Sequence, residues 1–183
     1  MDIQEGELVV RDAREKDAAL LCGWWNDGAV MAHAGFPRGL GTTEEAVRAQ
    51  LSQDDDDHRR CIVELCGVPV GEMNFRRTDE GTAEIGIKIC EAGAQNQGLG
   101  TRALTLFIAS LFETYGYERI VLDTNLQNAR AQHVYEKLGF RRVGVRGNAF
   151  LDQLGAWQSA VDYELKRGGL AKKMTQKSPE DGR

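Results

Sequence analysis

Apolar side chains recur at helical spacing most clearly in the middle of the chain. Six of them lie three or four residues apart along this stretch: Leu104, Phe107, Ile108, Leu111, Phe112 and Tyr115. This periodicity places all six on one face of a helix. Gly116 follows the last of them and is expected to end the helix.

A strict alternation of apolar and polar side chains predicts a strand just before this helix. Within residues 82–90, three apolar positions alternate: Ile85, Ile87 and Ile89. The positions between them, Glu84, Gly86 and Lys88, must face the opposite side of a sheet.

The remaining pattern predicts a mixed α/β fold. Short apolar runs predict further strands at residues 8–10, 60–65, 70–77, 119–124, 140–145 and 157–165. Amphipathic spacing predicts helices over residues 12–25, 42–51 and 129–138. Thr42 is the expected N-cap of the second, in a capping box with Glu45, and the four glycines of residues 26–41 predict a loop. The order is an antiparallel meander, one β-α-β unit, then a helix and a hairpin.

Composition indicates one water-soluble domain. The chain has 183 residues, 42% hydrophobic and 28% charged, which is ordinary for a globular protein that buries a core. No apolar run approaches the roughly 20 residues that span a membrane, and the first residues do not resemble a secretory signal. We therefore expect a cytoplasmic protein with one domain over residues 1–167 and a disordered basic tail over residues 168–183.

Charge is distributed unevenly along the chain. Of the net charge of −5, residues 1–165 carry −9 and residues 166–183 carry +4. An acidic body argues against nucleic-acid binding and either attracts cationic small molecules or serves solubility alone. The four cysteines lack C-x-x-C spacing and the three histidines are scattered, so we expect reduced thiols and no metal site.

A glycine-rich segment joins the strand of residues 82–90 to the central helix. It reads Gln95-Asn96-Gln97-Gly98-Leu99-Gly100. Glycines let a backbone approach a ligand, and a helix N-terminus favours an anion. No Gly-Lys-Ser/Thr follows, which excludes a Walker A loop. The segment is either a phosphate cradle or a plain strand-to-helix turn.

The same glycines also fit a dinucleotide fingerprint. Gly98, Gly100 and Ala103 match G-x-G-x-x-A, and Asp123 in the next strand stands where a ribose-binding acid belongs. However, a polar stretch separates the strand end near Cys90 from Gly98, and the preceding strands are predicted to be antiparallel. A dinucleotide-dependent oxidoreductase is therefore the weaker alternative.

A second segment, about thirty residues further on, places an ionisable hydroxyl on a short helix. Asn128 is expected to cap this helix and Gly139 to end it. Tyr135 lies on its apolar stripe. Taken alone, Tyr135 is either a core residue or a group that moves a proton.

The two segments together resemble a known family. Q-x-x-G-x-G followed by N-x-x-A-x-x-x-Y-x-K-L-G-F is similar to the paired motifs of the GNAT superfamily of N-acetyltransferases, over about residues 7–165. The nearest group includes the ribosomal-protein N-terminal and spermidine acetyltransferases. The resemblance implies a mostly antiparallel central sheet with helices on both faces and a splay between its two central strands. Members often form homodimers, and the sequence leaves the oligomeric state of this chain open.

The resemblance also implies acetyl-CoA as acetyl donor and suggests where it binds. The pyrophosphate would lie on backbone amides of the glycine-rich segment: Gln95, Asn96, Gln97, Gly98, Leu99, Gly100 and Thr101. The pantetheine would lie along Ile87, Lys88 and Ile89, where its amides can pair with backbone groups that the splay leaves free. Asn128 would contact the cofactor as well as capping its helix.

The implied reaction is direct attack of a neutral amine on the thioester. Tyr135 matches the family's general acid for the leaving thiolate, because a phenol of pKa about 10 stays protonated at neutral pH. A backbone N–H of residues 87–89 is the expected oxyanion donor. Glu72 and Glu84 are the candidate bases, acting through water, although each can equally be a solvated surface acid.

The amine acceptor is left open by the sequence. The resemblance places the acceptor side at about residues 24–58, whose acids would suit a cation: Asp27, Glu44, Glu45 and residues 54–57. A small cationic amine or a protein N-terminus is the leading expectation. Trp24, Trp25 and Phe36 either line that pocket or belong to the core. A non-catalytic acyl-CoA-binding module is a further alternative, against which the intact Tyr135 argues.

Overall fold

An eight-stranded sheet organises residues 1–171, the part of the chain that the computed structural model describes. Its strands, in chain order, are β1 (Asp2–Glu5), β2 (Leu8–Asp12), β3 (His58–Leu65), β4 (Val68–Asp79), β5 (Thr82–Ile89), β6 (Arg119–Asn125), β7 (Arg141–Leu151) and β8 (Trp157–Lys166). Their order across the sheet is β1-β2-β3-β4-β5-β6-β8-β7. The helices are α1 (Ala18–Asn26), α2 (Gly28–Met31), α3 (Glu44–Leu51), α4 (Leu99–Glu113) and α5 (Ala129–Leu138).

Helices cover both faces of this sheet, as predicted. Five of the six apolar side chains predicted on α4 are buried, with Phe107 fully buried near Phe75 of β4. The sixth, Tyr115, is half-buried beyond the helix, which ends at Glu113 and not at Gly116. On the opposite face, α1 and α3 pack over Ile62 and Cys90. Burial of these apolar side chains is the main force that holds each helix to the sheet.

One parallel strand pair lies at the centre of an otherwise antiparallel described sheet. β5 and β6 pair only from Thr82 with Arg119 to Glu84 with Val121. Beyond that point β5 runs on to Ile89, still paired with β4, while β6 stays paired with β8. The two strands therefore part, which is the predicted splay. A doubly wound dinucleotide fold needs several parallel pairs, so this topology contradicts the oxidoreductase alternative.

The first helices differ from the sequence prediction in their boundaries. The predicted helix over residues 12–25 begins only at Ala18, after a 3-10 turn over Glu15–Asp17. Residues 26–41 are not all loop, since they contain α2 and a second 3-10 turn, Ala32–Ala34.

The N-cap of α3 is Thr43 and not Thr42. The Thr43 hydroxyl accepts a hydrogen bond from the Ala46 amide at 3.2 Å. Thr42 is instead held in the preceding loop, where its amide donates to Asn26 Oδ1 at 2.9 Å. Either of two adjacent threonines could have been the N-cap from the sequence. The hydrogen bond from Thr42 to Asn26, which is distant in sequence, leaves Thr43 as the cap.

Both ends of the described chain extend the predicted sheet and domain. β1 was missed because its sequence, Asp-Ile-Gln-Glu, has a single apolar residue. After β8, Leu170 packs against the core and the Ala171 amide donates to Leu138 O at 3.0 Å. The first four residues of the predicted tail are therefore ordered, and residues 172–183 lie outside the described part. No helix within residues 1–171 combines the length and apolar character needed to cross a membrane.

Candidate active site

The splay between β5 and β6 opens into a cavity of about 800 Å³. Its wall is formed by α2 and the 3-10 turn after it, β5, residues 94–101, β6, α5 and the β7–β8 hairpin. The cavity therefore brings the two sequence segments of interest to one place.

The glycine-rich segment is tied to the end of β5 by side-chain hydrogen bonds. Gln95 Nε2 donates to Ile89 O at 2.9 Å, and Gln97 Nε2 donates to Gly93 O at 2.6 Å. Gly98 is the N-cap of α4, and no described side chain caps this helix. Because the first amides of a helix have no intrahelical acceptor, they remain available to an anion at the cavity wall.

Gly98 and Gly100 are glycines for different reasons. Gly98 has a φ of +74°, which an L side chain rarely adopts. At Gly100 φ is ordinary, and an added Cβ would meet its nearest neighbour, Ile89 Cγ1, at 3.7 Å. The fold thus requires glycine at position 98 but not at position 100. Gly100 faces the cavity, where a missing side chain leaves room for a ligand.

The free edge of β5 forms a second wall of the cavity. Residues 85–89 all line it, and in the described chain their edge towards β6 has no strand partner. Unpaired strand edges offer backbone donors and acceptors to an extended ligand. The structure thus places Ile87, Lys88 and Ile89 in the cavity wall.

α5 carries the predicted proton donor into the same cavity. Asn128 caps the helix, with Oδ1 accepting from the Ala131 amide at 3.1 Å and Nδ2 donating to Thr124 Oγ1 at 3.4 Å. One side of the Tyr135 ring packs on Phe140 and Tyr163, with centroids 5.8 and 5.7 Å away.

The hydroxyl of Tyr135 has no hydrogen-bond partner among residues 1–171. The residue is buried yet lines the cavity. Burial raises the pKa of Tyr135 to about 12, and the nearby charge of Asp123 acts in the same direction. The phenol therefore stays protonated at physiological pH and keeps a proton to donate.

The two candidate bases lie outside the cavity wall as described. Glu72 is buried, and its oxygens accept hydrogen bonds from Trp25 Nε1 and Lys88 Nζ, both at 2.9 Å. Glu72 and Lys88 are direct cross-strand partners. The hydrogen bond to Lys88 therefore connects Glu72 to a residue that lines the cavity. Glu84 lies at the last position where β5 pairs with β6, just before the splay begins. It forms an ion pair with Arg76 at 2.6 Å.

Several of the acids of residues 24–58 that were expected to suit a cationic acceptor have partners within the fold. Asp27 accepts from the Ala29 amide at 2.7 Å as the cap of α2, and Glu44 pairs with Arg48 at 2.7 Å. Across residues 1–171, none of the predicted acids belongs to the cavity wall. Charge alone could not show which acids bind the acceptor, because an acid can already be paired with a nearby arginine or accept a hydrogen bond from a backbone amide.

The aromatic residues of that region divide between core and surface. Trp24 and Trp25 are buried with α1 and α3 in the core. Their indole N–H groups donate to Glu91 and Glu72, at 2.8 and 2.9 Å. Phe36 is exposed and does not belong to the described cavity wall.

Several cavity residues escaped the sequence analysis. Arg130, in the first turn of α5, contacts Gln95 Oε1 at 3.5 Å, which places a cation beside the free amides of α4. Phe150 of β7 and His33 after α2 also line the cavity. A basic residue next to the helix cap was a usable signal for Arg130. No local signal existed for Phe150, which only the β7–β8 hairpin brings to the cavity.

Comparisons with known proteins agree with this geometry. The profile of the acetyltransferase (GNAT) domain family matches residues 7–141. A mycothiol acetyltransferase from Beutenbergia cavernae is 37% identical over 79 residues, which are 43% of this chain. The match spans about a quarter (26%) of that relative's length.

Solved structures share the whole fold at low sequence identity. A spermidine N-acetyltransferase from Vibrio cholerae, crystallised with CoA and spermine, superposes with a TM-score of 0.81 at 18% identity, covering 90% of this chain and 98% of that one. RimL, a ribosomal alpha-N-protein acetyltransferase in complex with coenzyme A, has a TM-score of 0.81 at 16% identity, covering 91% and 98%. At these identities the likeness concerns the fold.

Proposed function

We propose that this chain, which belongs to the GNAT acetyltransferase family, transfers the acetyl group of acetyl-CoA to a primary amine. One observation carries the proposal. Within residues 1–171, the hydroxyl of Tyr135 has no partner and shares a cavity with the uncapped N-terminus of α4 and the free edge of β5. A proton donor, an anion site and a strand edge are the three features that such a transfer requires.

The residues of the cavity fit acetyl-CoA. The amides of residues 96–101 and the helix dipole suit the pyrophosphate, and Arg130 adds a positive charge beside them. The Gln95 amide, which was also expected to bind the pyrophosphate, instead donates to Ala92 O at 3.2 Å. Ile87, Lys88 and Ile89 offer a strand edge to the pantetheine amides. The space beside Gly100 would let the ligand approach the backbone closely. Asn128 would contact the same ligand from the start of α5.

Acetyl-CoA supplies the acetyl group as a thioester, and the chain's own groups assist the transfer. The amine nitrogen of the acceptor attacks the carbonyl carbon, and the bond to sulfur breaks. Tyr135 gives its proton to the departing sulfur and is reprotonated by the proton that the nitrogen loses as the amide forms. A backbone N–H of residues 87–89 stabilises the negative charge that develops on the carbonyl oxygen.

The proton of the incoming ammonium needs a route out of the site. We keep Glu72 and Glu84 as the proposed bases, acting through water. The contact between Glu72 and Lys88 supports Glu72, since Lys88 lines the cavity. Glu84 is held by Arg76 at the closed end of the splay.

The acceptor is a small cationic amine or the N-terminus of a protein or peptide. The two fold neighbours named above act on spermidine and on a ribosomal protein, which keeps both classes open. A cytoplasmic location and a homodimer remain part of the proposal. The homodimer is supported by exposed apolar side chains on β7 and β8, among them Val145 and Trp157.

The test is thiol release from acetyl-CoA against a panel of amines. The panel contains spermidine, an aminoglycoside, and peptides that begin with Ala and Ser, each run with wild type and Tyr135→Phe. Amine-dependent release that collapses in the variant is the expected result. Tight acetyl-CoA binding without release with any amine would favour the acyl-CoA-binding module. Absence of acetyl-CoA binding would overturn the proposal.

A further inference from the structure

One end of the cavity wall is formed by a single face of β6 and β8. Asp123 and Asn125 are two residues apart on β6 and therefore point to the same face. Ala160 of β8 is the cross-strand partner of Asn125. All three line the cavity, together with His33 after α2 and Phe150 of β7. This end thus places apolar side chains, an amide and an imidazole around one carboxylate.

Asp123 is the single acid among the described residues of the cavity wall. Its Oδ2 is paired with Arg146, while its Oδ1 accepts no hydrogen bond from any residue in 1–171. Half of this carboxylate is therefore available to a ligand. Asp123 also lies two residues beyond Val121, the last β6 residue paired with β5, so it stands where the splay begins.

Arg146, the arginine beside Asp123, makes most of its contacts with a second acid, Asp162. Arg146 Nε lies 3.0 Å from both oxygens of Asp162, and its Nη2 lies 2.8 Å from Asp162 Oδ1. Asp123, Asp162 and Arg146 together therefore carry a net charge of −1. Arg146 and Asp123 are each about half exposed, at 52% and 49%, and exposed ion pairs are weak enough to exchange.

We propose that Asp123 binds the ammonium group of the acceptor, so that the site selects cationic amines. This inference rests on the proposed acetyl transfer. The free oxygen accepts a hydrogen bond from the ammonium, and its charge attracts the cation to the cavity. Phe150, Ala160 and Val30 offer apolar surface to the carbon chain next to the nitrogen, and an aromatic face adds attraction for a cation.

The position of Asp123 relative to Tyr135 supports this role. The two side chains line the same cavity. An ammonium held at Asp123 would therefore share the cavity with the group that protonates the departing sulfur. Of the acids first expected to bind the acceptor, Asp27 and Glu44 have partners within the fold, as described above.

The experiment compares Asp123→Asn with Glu164→Gln. Both variants remove one negative charge from the same face of β8 and β6, but Glu164 lies outside the described cavity wall, paired with Arg141. We expect Asp123→Asn to raise the KM for spermidine about tenfold, the effect of about 1.4 kcal/mol of lost binding. The kcat at saturating amine and the Kd of acetyl-CoA should stay within about twofold, and Asp123→Glu should recover part of the affinity.

Spermidine binding by calorimetry in the presence of CoA gives a readout that does not need turnover. Binding to wild type that weakens in Asp123→Asn supports the inference even if no acetylation occurs, which separates it from failure of the proposed function. An unchanged KM in Asp123→Asn, or an equal increase in Glu164→Gln, would overturn it. So would a wild type that binds CoA but no amine.

Discussion

Glu84 of β5 and Val121 of β6 form the last pair of the parallel register at the centre of the sheet. Past this pair the strands diverge, and the space between them becomes the cavity. Everything proposed for the site depends on this divergence, since it frees the edge of β5 and exposes Asp123 of β6. The same divergence lets Tyr135 of α5 reach the cavity.

Replacing Tyr135 by Phe should reduce catalysis with little effect on folding. The hydroxyl has no hydrogen-bond partner in the described chain, so its loss removes a proton donor and leaves the ring packing intact. We expect kcat to fall roughly 100-fold, within the usual contribution of a general acid. Steady-state kinetics at saturating acetyl-CoA measure this, and a kcat near the wild-type value would contradict the role.

Tyr135 should also affect alkaline stability. Its pKa is raised to about 12 in the folded protein, against about 10 in the unfolded chain. The folded state favours the neutral phenol, so this stability is fully present below pH 10 and is lost as the pH rises towards 12. Urea unfolding at pH 8 and pH 11 should show a smaller alkaline loss for Tyr135→Phe than for wild type. Equal losses would contradict the burial argument.

Gly100→Ala should separate ligand binding from folding. The new methyl group makes ordinary contact with Ile89, and alanine favours a helix over glycine by up to about 1 kcal/mol. We expect unchanged or higher stability but an acetyl-CoA affinity about tenfold weaker, because the methyl group occupies ligand space. Gly23→Ala in α1, where an added Cβ meets nothing within 4 Å, is the matched control and should leave the Kd unchanged.

Asn128 can be tested for its two suggested roles. Asp at an N-cap accepts the same hydrogen bond as Asn, so Asn128→Asp should keep the cap on α5 and the thermal midpoint. Its added negative charge should weaken acetyl-CoA binding if residue 128 contacts the cofactor. Asn128→Ala should cost about 1 kcal/mol of unfolding free energy. If Asn128→Asp binds acetyl-CoA like wild type, capping is the whole role of this residue.

Glu72→Gln and Glu84→Gln distinguish the two proposed bases. Because Glu72 contacts Lys88 of the cavity wall, we expect Glu72→Gln to lower kcat/KM and to flatten its decline at acid pH. The pH profile of kcat/KM from pH 5 to 9 measures this for both variants. A flattened profile in Glu84→Gln alone would assign the base to Glu84, and unchanged profiles in both would leave neither as base.

Features that depend on a few neighbouring residues were predictable from the sequence. The stripe on α4 and the cap at Asn128 both follow from local geometry. The resemblance then placed Tyr135 and the strand of residues 87–89 beside them, and these residues do share the cavity. The sequence did not settle features that a shift of one residue changes, such as whether Thr42 or Thr43 is the N-cap of α3.

The sequence by itself determined the order of the elements, the family and the residues of the two motifs, because hydrophobic periodicity and backbone conformation are encoded locally. Only the tertiary structure decided which charges face the cavity. Glu72 is paired with Lys88 from the next strand, and Asp123 keeps a free oxygen because Arg146 is directed mainly at Asp162. Such pairings depend on strand register and on arginines distant in sequence, and no local pattern encodes those distances.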